Sequence, residues 1–421
     1  MNTTGTPARI VVLGGGFGGV YTGKYLLPLV RRGIAEMTIV SDTNHFLFTP
    51  LLHEVATGNL SAGTVAEPLR EIFRGTGTRI VHGTADAVDM RRRIVSVGSR
   101  EIPYDYLVVS CGSKANYYNI PGAKEHGLPL KNISDALRIR NRIIDAFDRA
   151  AEESDADKRK NLLSFAVVGG GPTGVELAAE IAEFAHAMAD NYYCNTCAIT
   201  RDDVQIALVS AGSELLEYFH PAMRAKAKKV LEKKGVSVHT GIAVTAVDDC
   251  GVCMADGACI PASVILWVAG VTTDIPAMNG GDARHSARIP VDEYLRVNGE
   301  ERVFAVGDAA AFTHQSASGT ALPMLAQVTV QEAAAAARNI KAALIGRKLV
   351  RFRYHHKGAL VSLGEWYAMG DIFGMRLYGR LMWLLWRTIY LFTFISWRKR
   401  FRIALEWIIE LIYPRDITRL S

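Results

Sequence analysis

Apolar residues along the chain fall in short blocks separated by longer amphipathic stretches, the pattern of buried parallel strands alternating with helices. Arg9–Leu13 reads as a buried strand and Val20–Val30 as the helix after it. Met37–Val40, Ile94–Val97 and Tyr106–Ser110 read as further strands of the same unit. Ala136–Glu153 has the spacing of a polar helix, and the charge-rich run Glu152–Lys160 reads as a solvated connector. The pattern then restarts. Ser164–Val168 is a strand, Thr173–Met188 a helix, and Val204–Val209, Val236–His239, Ala243–Val247 and Val264–Val268 are strands. Residues 303–306 add an apolar strand, and Val328–Leu344 is an Ala-rich helix. The two strand–turn–helix beginnings lie 155 residues apart, an internal duplication too widely spaced for a solenoid.

Both beginnings carry the same turn chemistry. Gly14-Gly15-Gly16-Phe17-Gly18-Gly19 and Gly169-Gly170-Gly171-Pro172-Thr173-Gly174 are each G-x-G-x-x-G, following a strand and opening a helix. The first glycine permits the tight turn, the second lets the backbone approach a pyrophosphate, and the third allows helix to pack on strand. The helix N-terminus supplies N–H donors to the phosphates. One such turn can arise from packing alone; two in matching contexts point to two dinucleotides, a flavin on one and a nicotinamide on the other. Gly307-Asp308, at the end of Val303–Val306, assigns the flavin to the first, because an Asp there can accept a bond from a ribityl hydroxyl. In isolation the same dipeptide is an ordinary turn.

Taken with Phe48–Ala56, Gly169–Glu176, Trp267–Val271, Phe304–Asp308, Leu322-Pro323 and Ala326-Gln327-Val328-Thr329-Val330-Gln331, these motifs resemble the type II NADH dehydrogenases (NADH:quinone oxidoreductases) over nearly the whole chain. The last segment resembles that family's A-Q-x-x-x-Q quinone motif. The resemblance implies an α/β fold with two Rossmann-like domains, one for noncovalent FAD and one for NADH, plus a C-terminal amphipathic helical region that anchors to a membrane. The expected divisions are 1–118 and 290–370 for FAD, 119–289 for NADH and 371–421 for the anchor.

Residue by residue, the resemblance implies FAD contacts at Gly14, Gly16, Phe17, Gly18, Gly19, Ser41, Asp42, Thr49, Pro50, Asp308, Ala326 and Gln327. It implies NADH contacts at Gly169, Gly171, Thr173, Gly174, Glu176, Ser210, Ala269 and Gly270. Glu176 matches an acid close to both nicotinamide and flavin, and is the expected proton source for the quinone; its plainer role is a first-turn Glu favoured by the helix dipole. Gln327 and Gln331, at i and i+4, could bond the flavin or a quinone carbonyl, or simply be a solvated amide pair. The implied reaction is NADH oxidation through FAD, then reduction of a membrane quinone without proton pumping.

The sequence departs from the usual pattern in one respect. An acid normally ends the second strand to bind a ribose 2′-OH. Here those positions read Ser41-Asp42, one residue late, and Ser210-Ala211, with no acid. NADH remains the expected donor, with weaker rejection of NADPH. Cys194/Cys197 and Cys250/Cys253 are two C-x-x-C pairs, but more than fifty residues of separation disfavours a zinc site, and no metal is expected. The six cysteines fit a reducing compartment, and no signal-like segment precedes Ile10. Two rivals remain. A sulfide:quinone oxidoreductase would need a cysteine in the C-terminal half beyond the last one here, Cys259; the other rival is a non-catalytic NADH-binding redox sensor docked on a membrane.

Composition sharpens the picture at the C-terminus. With 421 residues, 49% hydrophobic and 21% charged, the chain can bury several cores, which excludes a disordered protein. Of the net +6, +5 lies in residues 371–421, where nine Arg/Lys face four Asp/Glu beside four of the six Trp. The body is almost neutral, so no nucleic acid is expected. The run from Leu377 is interrupted by Arg380 and Arg387, too often for an ordinary spanning helix. Amphipathic helices lying in the interface are expected, with Arg398, Lys399, Arg400 and Arg402 on anionic lipid headgroups at the cytoplasmic side of the cell membrane. A homodimer interface is the alternative use of the same aromatic faces.

Overall fold

The computed structural model describes residues 6–194, 199–278, 287–315, 319–372 and 374–419. The chain divides into two compact units. The first comprises Met1–Leu47, Ala66–Lys114 and Thr272–His356; the second comprises Phe48–Val65, Ala115–Val271 and Lys357–Ser421. Relative to the expected divisions, 48–65, 115–118 and 357–421 lie with the second unit, and 272–289 lies with the first.

The first unit is built on a parallel sheet ordered Val303–Ala305, Tyr106–Val109, Ala8–Leu13, Ala35–Ser41, Arg79–His82. Its strands read as unbroken apolar runs because helices cover the sheet: Tyr106–Val109 is buried at all four positions. Phe17–Arg31 starts directly at the glycine turn and packs against Ala326–Leu344. Ile94–Val97 is not part of this sheet. It pairs antiparallel with Ala87–Asp89 and Arg100–Pro103, and its alternating burial is that of a strand covered on one face only.

The second unit repeats the plan, with a parallel sheet ordered Gly127–Leu128, Val264–Trp267, Ser164–Val168, Gln205–Ser210, Val236–Thr240. Both Rossmann-like sheets expected from the sequence are therefore present. Val168, Val209, Val252 and Trp267 belong to one buried cluster under this sheet. Ile133–Glu152 begins at a capping box between Asn132 and Asp135. The charged connector is in part a helix, Ala156–Leu162, because Asp155 accepts from the Asp157 and Lys158 N–H groups and starts the turn.

Beyond the sheet, Val244–Val247, Gly251–Met254 and Cys259–Pro261 form an antiparallel meander. Its register sets Cys253 opposite Cys259 with Cα atoms 4.1 Å apart, and the two are disulfide-bonded, which departs from the reduced thiols expected from the sequence. Cys253 is thus engaged with Cys259 rather than Cys250, and a site using both C-x-x-C pairs is not formed; Cys197 lies outside the described residues. At the C-terminus, Ala359–Ser362, Ala368–Ile372 and Met375–Gly379 form a small antiparallel sheet, so the tail helices begin at Arg380 rather than Leu377. They are Arg380–Thr393 and Trp397–Glu410. Among the described residues no helix is long and apolar enough to cross a membrane.

Candidate functional site

In each sheet the strand before the glycine turn is central, and the chain places later strands on opposite sides of it. The crevice at such a switch point, beyond the carboxyl ends of the strands, is where α/β sheets take ligands. Both glycine turns sit there. Gly14 has φ +108° and donates to Val40 O at 2.8 Å. A Cβ on Gly19 would stand 1.8 Å from Gly14 O, so helix and strand touch only because both are glycine. The second turn repeats this: Gly169 has φ +132°, and a Cβ on Gly174 would stand 1.8 Å from Gly169 O. At Gly16 and Gly171 an added Cβ would meet nothing within 4 Å, and neither helix is capped there by a side chain. Two open backbone cradles thus lead onto helix N-termini, the feature a pyrophosphate requires.

In the first unit, Phe17 and Gly18 form the opening of the helix, and Ser41 is buried at the end of the second strand, accepting from Thr43 N at 3.2 Å; Asp42 beside it is exposed. Asp308 lies in the short turn Gly307–Ala309 after Val303–Ala305, where Ser113 Oγ donates to it at 2.5 Å. Gly307 N donates to Glu332 Oε2 at 2.6 Å, which ties this turn to the Ala326–Leu344 helix. Glu332 Oε1 is buried without a partner, as are Arg288 Nε and Nη2. Burial raises the Glu332 carboxyl to about 8, opposed by the Gly307 N–H and Arg288. Orphaned buried polar atoms around Asp308, beside an open glycine cradle, fit a flavin dinucleotide. Sequence reading missed Glu332 and Arg288. Glu332 sits on the same helix face as Val328, Thr329 and Ala336, and an acid on an apolar face was the available signal.

Ala326 and Gln327 occupy the first turn of that helix, half-buried. Gln331 behaves differently from expectation. Its Nε2 donates to Gln327 O and to His355 O, at 3.2 and 2.9 Å, and its Oε1 accepts from His355 N at 3.0 Å. Both amide ends are taken up by the backbone, so Gln331 pins the 355 segment to the helix rather than presenting its amide to a ligand.

In the second unit, Thr173 opens the Pro172–Met188 helix, and Ser210 is buried at the end of Gln205–Ser210. Ala269 and Gly270 follow Val264–Trp267 at the same sheet edge as Gly169, and Gly270 O accepts from Asn116 N at 3.0 Å. Thr49 and Pro50 form a single turn, Thr49–Leu51, within this unit. Glu176, on the first turns of Pro172–Met188, is buried. Its Oε1 accepts from Ser362 N at 3.1 Å, and its Oε2 lies 3.9 Å from His53 Nδ1. Burial raises Glu176 to about 8, with Glu54 and Glu180 adding to the effect and the Ser362 N–H opposing it. Burial and the nearby Arg415 push His53 down to about 3, so its imidazole is neutral and that contact is no ion pair at neutral pH. A protonated carboxyl next to a neutral imidazole is a proton donor held ready at neutral pH.

Sequence similarity agrees with this geometry. The pyridine nucleotide-disulphide oxidoreductase family matches residues 8–333, and the NDH2 C-terminal domain family matches residues 356–416. The chain is 31% identical to the type II NADH:quinone oxidoreductase Ndh of Mycobacterium tuberculosis, over 97% of this chain and 89% of that protein. It is 30% identical to the internal alternative NAD(P)H-ubiquinone oxidoreductase A1 of Arabidopsis thaliana mitochondria, over 99% and 86%. The fold matches that of NDH2 from Plasmodium falciparum solved with NADH, with TM-score 0.87 and 22% identity over 98% of this chain and 99% of that one. A sulfide:quinone oxidoreductase from Aquifex aeolicus matches less well, with TM-score 0.71 and 19% identity over 98% and 96%.

Proposed function

The chain belongs to the type II NADH:quinone oxidoreductases, and we propose that it oxidises NADH through a noncovalent FAD and reduces a lipid-soluble quinone without pumping protons. The observation that carries this reading is the twice-built cradle at Gly14–Gly19 and Gly169–Gly174, one per unit. FAD, when bound, supplies the two-electron chemistry that links a hydride donor to a quinone. The rest is the work of the chain. Gly14, Gly16 and Gly19 with the Phe17–Arg31 N-terminus hold the FAD pyrophosphate, joined by Phe17 and Gly18. Asp308 would accept from a ribityl hydroxyl, Ser41 and Asp42 would take the adenosine ribose, and Ala326 and Gln327 would lie beside the ring. Gly169, Gly171, Thr173 and Gly174 hold the NADH pyrophosphate, with Ser210 on its ribose and Ala269 and Gly270 lining its path. Glu176 keeps a proton at neutral pH and gives it to the quinone.

The tail lies on the membrane surface. Leu381, Phe392, Trp397, Phe401 and Ile412 are all largely exposed, an apolar face that suits acyl chains at the cytoplasmic leaflet. The basic cluster contributes less than its charge count implies. Lys399 Nζ donates to Gly63 O, Arg400 donates to the carbonyls of Phe392 and Phe394, and Arg402 bonds Glu406 at 2.8 Å. The same face could instead pair two copies in a homodimer. The sulfide-oxidising alternative loses support because no cysteine follows Cys259.

The test is a steady-state assay of the flavin-loaded protein with NADH and a soluble quinone analogue, with the released flavin identified on the same sample. Quinone-dependent NADH oxidation is expected, and its absence defeats the reading. Replacing NADH by NADPH in the same assay tests Ser210. A serine in place of an acid predicts measurable NADPH use; complete rejection would show that discrimination comes from elsewhere.

A further inference from the structure

The strand Gln205–Ser210 ends without the acid that a dinucleotide fold uses to bond a ribose 2′-hydroxyl. The segment after it, residues 211–220, folds back on the glycine turn. Leu216 N donates to Gly170 O at 2.8 Å, and Leu216 takes φ +54°, a left-handed conformation uncommon for a bulky residue. Phe219 N then donates to Leu216 O at 2.7 Å, which closes a turn with Glu217 and Tyr218 at its centre.

Gly212 shows where the Glu217 side chain goes. A Cβ on Gly212 would collide with Glu217 Oε1 and stand 3.3 Å from its Cδ. Gly212 does not have a positive φ, so its backbone does not call for glycine; the space beside it, filled by the carboxylate, does. Gly212 is two residues beyond Ser210, so an acid that comes seven positions late in sequence is returned to the strand end. Ser210 itself faces the glycine turn: a Cβ on Gly170 would stand 2.7 Å from Ser210 Cβ. Glu217 is exposed, and among the described residues its carboxylate takes no hydrogen bond or ion pair; its only bond is through its backbone carbonyl.

The cation that touches this turn is already engaged. Arg224 donates to the Glu214 carboxylate, to Phe219 O at 2.6 Å and to Glu217 O at 2.8 Å, so its guanidinium holds the shape of the loop. Arg376 meets the segment at its last residue, at 3.3 Å from His220 Nδ1. A free carboxylate beside the strand end, with Arg224 engaged, favours a hydroxyl over a phosphate there.

We propose that Glu217 is the residue that selects NADH over NADPH: its carboxylate accepts from the 2′-hydroxyl of the adenosine ribose, beside Ser210, and repels a phosphate at that position. This role deepens the NADH oxidation proposed above and rests on it. An acid carried on a loop is held less firmly than one on a strand, so NADPH is disfavoured rather than excluded.

The test measures binding of NAD⁺, NADP⁺ and 2′-deoxy-NAD⁺ to the full-length, FAD-loaded protein by titration calorimetry, with NADH and NADPH compared in the quinone assay on the same samples. Wild type should bind NAD⁺ about tenfold tighter than either analogue, the low end for a hydrogen bond to a charged group. In Glu217→Ala the 2′-deoxy penalty should shrink to within about twofold. NADP⁺ should gain on NAD⁺ by about tenfold in both Glu217→Ala and Glu217→Gln. Gly212→Ala is an independent arm: its methyl takes the place of the carboxylate, which swings away on its flexible side chain, and NADP⁺ should gain in the same direction. Wild type that binds all three alike overturns the assignment, as does a 2′-deoxy penalty that survives Glu217→Ala. An unchanged NAD⁺/NADP⁺ ratio in the Glu217 variants or in Gly212→Ala overturns it too. Equal weakening of all three dinucleotides marks a merely structural residue and also overturns it. Wild-type protein that binds NAD⁺ but shows no NADH-dependent quinone reduction overturns the functional reading instead, while the binding ratios still decide Glu217.

Discussion

Trp407 donates its indole N–H to the buried Glu54 carboxylate at 2.7 Å across 353 residues of sequence. This bond seats the last tail helix on the short helix Leu52–Ala56, and Arg387, stacked over Trp407 and Trp383, braces it. Trp407→Phe keeps the ring and removes the donor, leaving a buried carboxyl acceptor unsatisfied. The cost should be about 1–3 kcal/mol of stability, read as a lower denaturant midpoint with unchanged slope. An unaltered midpoint would mean that the tail is seated by its apolar contacts alone.

Burial pushes the Glu176 carboxyl up to about 8, far above its ordinary value, and it donates only while protonated. Quinone reduction should hold at low and neutral pH and fall as pH rises through about 8. Glu176→Gln should lower the quinone step by about 100-fold, leave flavin bleaching by NADH within a few-fold, and abolish that alkaline limb. A variant that keeps the limb would remove Glu176 from the proton-donor role.

Glu332 provides a stability test in the first unit. Its folded value of about 8 exceeds the ordinary 4.5, so the native state holds a proton that the unfolded chain has already lost between those pH values. That contribution is complete below about 4.5 and disappears as pH rises through about 8. Glu332→Gln keeps an acceptor for Gly307 N–H and removes the titration. Its melting temperature should fall less than the wild type's between about pH 6 and 9, and parallel curves would refute the assignment.

Membrane attachment is best tested with point changes on the exposed face. Deleting Leu377–Ser421 would also strip Trp407 from Glu54 and Arg415 from Glu180, confusing release with unfolding. Leu381 and Phe401 are 81% and 68% exposed, so Leu381→Glu with Phe401→Glu should leave folding and soluble-quinone activity intact. Co-sedimentation with anionic vesicles should fall severalfold. Undiminished sedimentation, or a change in oligomer size instead, would favour the self-pairing use of this face.

The two sheets and both glycine turns were legible in the sequence because they are written locally: apolar runs, the i, i+2, i+5 glycines, and a helix-forming stretch after each. Glu176 was legible because it follows the second turn directly. The spacing of Gln331 from Gln327 is visible in sequence, whereas His355, which bonds its amide, is brought there only by the fold. The charged connector was misread because Asp155 capping outweighed its polarity.

By itself, then, the sequence determined the duplicated dinucleotide fold, the cradle positions and the amphipathic tail, since periodicity, glycine geometry and charge are properties of neighbouring residues. Tertiary structure alone decided which acids are buried together. Glu54, Glu176 and Glu180 come from two separate segments, and each would be an ordinary solvated carboxylate in the unfolded chain. Folding takes them out of water around two arginines, and that shared loss of solvation is what pushes their carboxyls upward.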